Sequence, residues 1–88
     1  MVGGLPANRT VNGFAVDTEN PKTLYVAMRD GLFKSTDAGE TWKPIGKDLK
    51  NLASVTVNPK RPAEIYVATA NGAIFKSTDG GVKWERRN

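Results

Sequence analysis

The 88-residue sequence predicts an all-β protein built from two copies of one unit. Three observations carry this reading. The first is an internal repeat. Ser35-Thr36-Asp37-Ala38-Gly39-Glu40-Thr41-Trp42 returns, lightly edited, 42 residues later as Ser77-Thr78-Asp79-Gly80-Gly81-Val82-Lys83-Trp84. Val16, Pro21 and Tyr25-Val26-Ala27 reappear at an offset of 41 as Val57, Pro62 and Tyr66-Val67-Ala68, and Ala73 is the one inserted residue between the two offsets. Over residues 12–46 against 53–88, 13 of 35 aligned positions are identical, which chance does not produce. The second observation is apolar alternation of the kind a half-buried strand requires, with no stretch showing a 3.6-residue period. The third is regularly spaced turn chemistry between the apolar runs.

Each copy reads as four short strands. The first, over 11–16 and 52–57, alternates apolar with small or polar residues. Segments 17–22 and 58–63 then break the pattern with Asp, Asn and Pro. Proline fixes φ and lacks a ladder donor, so both segments are expected to be turns. The second strand, over 23–28 and 64–69, is rich in Leu, Ile, Tyr and Val. Asp30-Gly31 and Asn71-Gly72 follow it, and these pairs are the strongest short hairpin signal because both residues tolerate positive φ. The third strand covers 32–35 and 74–77. After the Asp/Gly loop a fourth strand is expected from Trp42 or Trp84 onward.

A period of about 40–45 residues made of short strands is the signature of β-propeller blades. The expected organisation is a single repeat unit over 1–88, with blade 1 at about 11–46 and blade 2 at about 52–88. Propellers have typically about four to eight blades. Two blades cannot close a ring, so closure is expected only by oligomerisation.

Composition narrows the chemistry. The chain has no cysteine and no histidine, which removes disulfides, thiolate metal ligands, the commonest general base and every His-dependent triad. No metal or cofactor site is expected. A chain this short has a thin core, so stability must come from association, from ideal repeats or from a longer parent chain. The net charge of +4 comes from basic residues scattered along both copies. The adjacent pairs Lys60-Arg61 and Arg86-Arg87 fall in a Pro-rich turn and at the chain end, without the basic stripe and stacking aromatics of a nucleic-acid binder. No apolar run reaches membrane-span length, the first four residues do not read as a signal peptide, and Asn8-Arg9-Thr10 is a sequon of low information.

The repeated Ser-x-Asp-x-Gly-x-x-Trp pattern resembles the Asp-box, hallmark of the bacterial neuraminidase (BNR) repeat. Ser35, Asp37, Gly39, Thr41 and Trp42 fill its fuller form, whereas Ser77, Asp79, Gly81 and Trp84 are joined by Lys83 where the family prefers Thr. With the preceding Asp17…Asn20-Pro21…Leu24-Tyr25-Val26, the chain resembles blades of xyloglucan-active glycoside hydrolases, sortilin and photosystem II assembly-factor propellers, from about Val11 to Trp84. Those families are often secreted or periplasmic. The resemblance implies that this turn joins strands three and four at the blade periphery, away from the substrate channel. The residue types agree: the Asp accepts turn N–H groups, Gly supplies positive φ and Trp anchors the hairpin. A structural role for all nine residues is therefore expected.

Catalysis is not expected. Sialidases of this architecture use an arginine triad, a tyrosine nucleophile and an acid pair, but Tyr25 and Tyr66 occupy equivalent strand positions, which argues for a repeated core role. The acids Asp17, Glu19, Asp30, Asp37, Glu40, Asp48, Glu64, Asp79 and Glu85 fall mostly in turns and form no recognisable glycosidase pair. Gly80-Gly81 lacks the surroundings of a calcium or phosphate loop, and Trp42 and Trp84 are expected to pack rather than to stack on sugars.

The expected function is a non-catalytic module that assembles with itself into a binding or scaffolding ring. A homotrimer of six blades is favoured over a homotetramer of eight, since six-bladed rings are familiar in the family resembled; seven is not reachable with whole pairs. Joined head to tail, Asn88 followed by Gly3-Gly4-Leu5-Pro6 reads as an ordinary inter-blade connection. The copies are less alike than a consensus design would make them, which points to natural blades. Two rival readings are a truncated piece of a secreted glycoside hydrolase or sialidase, and a partner-binding propeller resembling the assembly factors. Carbohydrate or an acidic protein is the ligand class these readings imply.

Overall fold

A computed structural model of the chain describes residues 11–29, 31–46 and 49–87. The sequon, the residues before Val11, Asp30, Asp48 and Asn88 lie outside the described residues, and with them the head-to-tail junction. Strands β1 (Val11–Val16), β2 (Leu24–Met28), β3 (Gly31–Ser35) and β4 (Lys43–Ile45) form one four-stranded antiparallel sheet. Strands β5 (Leu52–Asn58), β6 (Arg61–Thr69), β7 (Ile74–Ser77) and β8 (Glu85–Arg86) form a second. Both sheets have sequential strand order, so every strand pairs only with its neighbour in the chain. No helix among the described residues is long and apolar enough to cross a membrane.

The all-β expectation holds, and all eight strands occur. Their edges differ from the reading above in instructive ways. Pro62, expected in a turn, lies in β6: the turn is only Pro59-Lys60, and Asn58 pairs with Arg61. Val57 then pairs with Ile65, so Pro62, Ala63 and Glu64 form a bulge in which proline's missing donor is not needed. Asn58 holds this bulge by donating from its side-chain amide to Glu64 at 3.1 Å. The fourth strands start one residue after Trp42 and Trp84. Each tryptophan instead closes the preceding turn.

Register explains the core. Tyr25 lies opposite Lys34 and Ala27 opposite Leu32 on one face of the first sheet, while Val26 lies opposite Phe33 on the other. Tyr25, Ala27 and Leu32 pack against Val55, Val57, Ile65 and Val67 of the second sheet, joined by Leu49 and Leu52. Each large apolar side chain so buried contributes about 1.5–3 kcal/mol, an upper estimate against a fully extended chain. Val26, Met28, Phe33 and Trp42 make a second cluster on the far face of the first sheet.

The two inner strands approach closely. A Cβ built on Gly13 would lie 2.9 Å from the Ser54 Cα and 3.0 Å from the Val55 nitrogen. Among the described residues three side-chain hydrogen bonds bridge the sheets: Asn12 donates to the Leu52 carbonyl at 3.0 Å, Thr18 to the Pro59 carbonyl at 3.3 Å and Lys34 to the Gly80 carbonyl at 3.4 Å.

The repeat leaves the chain with two unlike ends. Leu32 is fully covered by the second sheet, but its counterpart Ile74 is 40% exposed. Conversely, Val55 and Val57 are 6% and 8% exposed, whereas their counterparts Phe14 and Val16 are 57% and 37% exposed.

Candidate functional site

The two Ser-Thr-Asp turns, between β3 and β4 and between β7 and β8, bring together all nine residues singled out from the sequence. In the first, Ser35 is buried at the end of β3. Its hydroxyl donates to Asp37 at 2.8 Å and accepts the N–H groups of Asp37 (3.3 Å) and Gly39 (2.8 Å). The Asp37 carboxylate also accepts from the Thr41 N–H at 2.9 Å and, on its other oxygen, from the Thr41 hydroxyl. Trp42 closes the turn with its indole N–H on the Gly39 carbonyl at 3.0 Å.

The second turn repeats this geometry. Ser77 donates to Asp79 at 2.8 Å and accepts from Gly81 at 2.9 Å, and Trp84 donates to the Gly81 carbonyl at 3.0 Å. Asp79 accepts the N–H groups of Val82 and Lys83 at 3.1 and 2.9 Å. Lys83 has no hydroxyl to give, so the side-chain bond made by Thr41 is absent here. The acidities follow. The Thr41 hydroxyl, then the Thr41 N–H and Ser35, hold Asp37 down to about 2. Asp79 is lowered by the Lys83 N–H first and Ser77 second. Carboxylates so engaged are poor proton donors near neutral pH.

Sequence reasoning missed one feature of these turns. Two consecutive residues adopt positive φ: Ala38 and Gly39 at 63° and 94°, Gly80 and Gly81 at 75° and 99°. An alanine in that region costs roughly 1–2 kcal/mol. The signal was available, since the second copy places glycine at the position of Ala38. Each turn is also tied to the chain near the start of the sheet's second strand, with Ala38 N–H on the Lys22 carbonyl just before β2 and Gly80 N–H on the Ala63 carbonyl in the β6 bulge.

Tyr25 and Tyr66 are equivalent locally and unlike in cover. A lysine, Lys34 or Lys76, places its ammonium 5.5 Å from each ring centroid. Tyr25 is buried between the sheets, and burial, then the charge of Asp17, raises its pKa. Tyr66 is only half-buried, on the outer face of the second sheet. Asp17 itself is committed locally, accepting the N–H groups of Glu19 and Asn20 at 2.8 and 3.1 Å. A cleft of about 640 Å³ runs between the sheets, with Lys34, Ile45, Phe75 and Trp84 in its walls. Among the described residues no group of three or more His, Cys, Asp or Glu could hold a metal ion.

A solved structure of an ancestral GH74 enzyme matches this arrangement with a TM-score of 0.83 at 23% identity, covering 98% of this chain and 13% of that one. The two sheets are β-propeller blades. YCF48 from Cyanidioschyzon merolae matches the blades at TM-score 0.75 and 23% identity, over 96% of this chain and 25% of that one. In sequence, the blades are similar to xyloglucanase Xgh74A of Acetivibrio thermocellus, 29% identical over 112 aligned residues, 97% of this chain and 13% of the relative. Photosystem II assembly lipoprotein Ycf48 of Synechococcus sp. strain CC9902 is 31% identical over 84 residues, 92% of this chain and 25% of the relative. No protein-family profile matches the chain. The chain thus spans between about an eighth and a quarter of the length of these curated relatives.

Proposed function

We propose that the chain is a two-blade Asp-box module, non-catalytic by itself, that assembles into a closed propeller and serves as a binding or scaffolding ring. Blade 1 is residues 11–46 and blade 2 residues 52–88. The observation that carries this reading is the pair of unlike ends. The face that Tyr25, Ala27 and Leu32 bury against blade 2 is repeated by Tyr66, Ala68 and Ile74, which among the described residues face away from blade 1. Unlike faces associate heterologously, and such contacts close when the rotation closes. Three chains give six blades, favoured over four chains giving eight.

The carboxylates support the non-catalytic half. Asp37 spends both its oxygens on its own turn and Asp79 spends its Oδ1 likewise, and the nine Asp-box residues hold the blade edge together. Absolute mass by light scattering on a sizing column, across a dilution series, tests the reading. Three times the 9.5 kDa chain mass, held on dilution, is expected. A monomer at all concentrations overturns it.

A second reading is favoured by one comparison. A solved YCF48 structure bound to a D1 peptide covers 91% of this chain at TM-score 0.70. A ring with this ancestry would take a peptide or acidic protein rather than a sugar as ligand. Salt-sensitive capture of an acidic peptide, without cleavage of xyloglucan, is the expected result; cleavage by the assembled protein would restore the glycoside hydrolase reading.

A further inference from the structure

We propose that the open face of blade 2 docks on blade 1 of a second copy of this chain. In that contact Lys76 reaches the Ala38 carbonyl of the second copy, between its Asp37 and Glu40. This rests on the self-assembling reading above and names the contact that sets its register.

The internal junction is the template. Lys34 leaves blade 1 beside Tyr25 and donates to the Gly80 carbonyl in the turn of blade 2. Lys76 repeats the posture of Lys34 over Tyr66, at the same 5.5 Å, on the open face of blade 2. The residue equivalent to Gly80 is Ala38, an exposed position on the rim of blade 1.

Charge selects the partner. Val82 shares the inter-blade cleft with Lys34, and its counterpart in blade 1 is Glu40. A second copy therefore offers Lys76 two carboxylates, Asp37 and Glu40, where blade 2 offers Lys34 only Asp79. The neighbouring loops agree. Asp17 and Glu19 of blade 1 line the same groove as Lys60 and Arg61 of blade 2. Around a ring of copies the same loops meet with their roles exchanged: Lys60 takes the place of Glu19, and Glu19 of the second copy takes the place of Lys60, so this pair stays opposite in charge.

Three contacts of the internal junction are not repeated at the new one. Ala53 stands where Asn12 bridges, Pro59 where Thr18 bridges, and Ser54 where Gly13 allows the inner strands to touch. Two polar bridges are lost, and the Ser54 Cβ holds the inner strands further apart. The contact between copies thus leans on Lys76 and the charged rims more than the internal one leans on Lys34.

The test is association by sedimentation across a dilution series for the full chain, Lys76→Glu, Glu40→Lys and the double reversal, with folding checked by circular dichroism. Either single reversal is expected to weaken association about tenfold or more, since like charges then face each other, and the double reversal to recover it. Glu40→Lys alters an exposed turn position, so it reads the contact even if Lys76→Glu fails to fold. An assembly indifferent to Glu40→Lys, or not recovered by the double reversal, overturns this contact while leaving self-assembly standing. A wild-type chain that stays monomeric overturns both.

Discussion

Gly13 and Ser54 occupy equivalent places in the two repeats, and the vacant Cβ position of Gly13 points 2.9 Å from the Ser54 Cα. The obstruction is backbone, which cannot swing aside as a side chain would. Gly13→Ala must push β1 and β5 apart and loosen the core shared by the blades. The expected loss is about 1–3 kcal/mol, as for other overpacked sites, read as a lower midpoint in urea. An unchanged midpoint would show that the blades tolerate a wider spacing.

Ser35 and Ser77 are buried and each links its Asp to two turn N–H groups. Replacing either with alanine orphans those groups where water has little access. A loss of about 1–3 kcal/mol is expected for each, and a melting temperature lower by roughly 4–8 °C per kcal/mol. Ser→Ala without effect would show that the turns hold without the hydroxyl.

The lowered acidity of Asp37 makes stability depend on pH. With a folded value of about 2 against an ordinary 3.8, the unfolded chain binds the proton first as pH falls. The stabilisation is therefore complete above pH 4 and is lost on descending from about 4 to about 2. Asp79 adds a loss of the same sign. Thermal melts between pH 5 and pH 2 should fall more steeply for the natural chain than for Asp37→Asn; parallel profiles would contradict the assignment.

Asn12 and Ala53 give a matched pair. Asn12→Ala removes a bridge between blades and should cost about 0.5–1.5 kcal/mol of stability. Ala53→Asn places the same donor on the open side of blade 2. It should tighten self-association by roughly 2- to 13-fold with little change in the melting of the separate chain. A dilution series on Ala53→Asn that overlays the natural chain would mean that the wider strand spacing set by Ser54 keeps the added donor out of reach.

The strands were legible because turn chemistry and alternation are local. Asp17 and Asn58 each accept an N–H two residues on, at 2.8 and 2.9 Å, which is what their residue types do in any chain. The Ser-Thr-Asp turns were legible for the same reason, every partner lying within a few residues. What stayed hidden depends on distant neighbours. Nothing around Gly13 announces that Ser54 passes beside it, and nothing around Pro62 announces a bulge braced by Asn58 and Glu64. Tyr25 and Tyr66 are the sharpest case: identical residues with identical lysines, one buried and one half-open, distinguished only by what lies across from them.

The sequential order of both sheets bears on how the chain comes to be folded. Each pairing joins strands adjacent in sequence, so little loop entropy is spent in forming either blade, and hairpins can zip within microseconds. The bridges between blades span far more chain, 40 residues from Asn12 to Leu52 and 46 from Lys34 to Gly80. Their closure costs more chain entropy than any hairpin, so they are expected to form after the hairpins. Blade 1 can be complete on a ribosome before the last strand of blade 2 has emerged, its Tyr25 face waiting for the blade that is still being made.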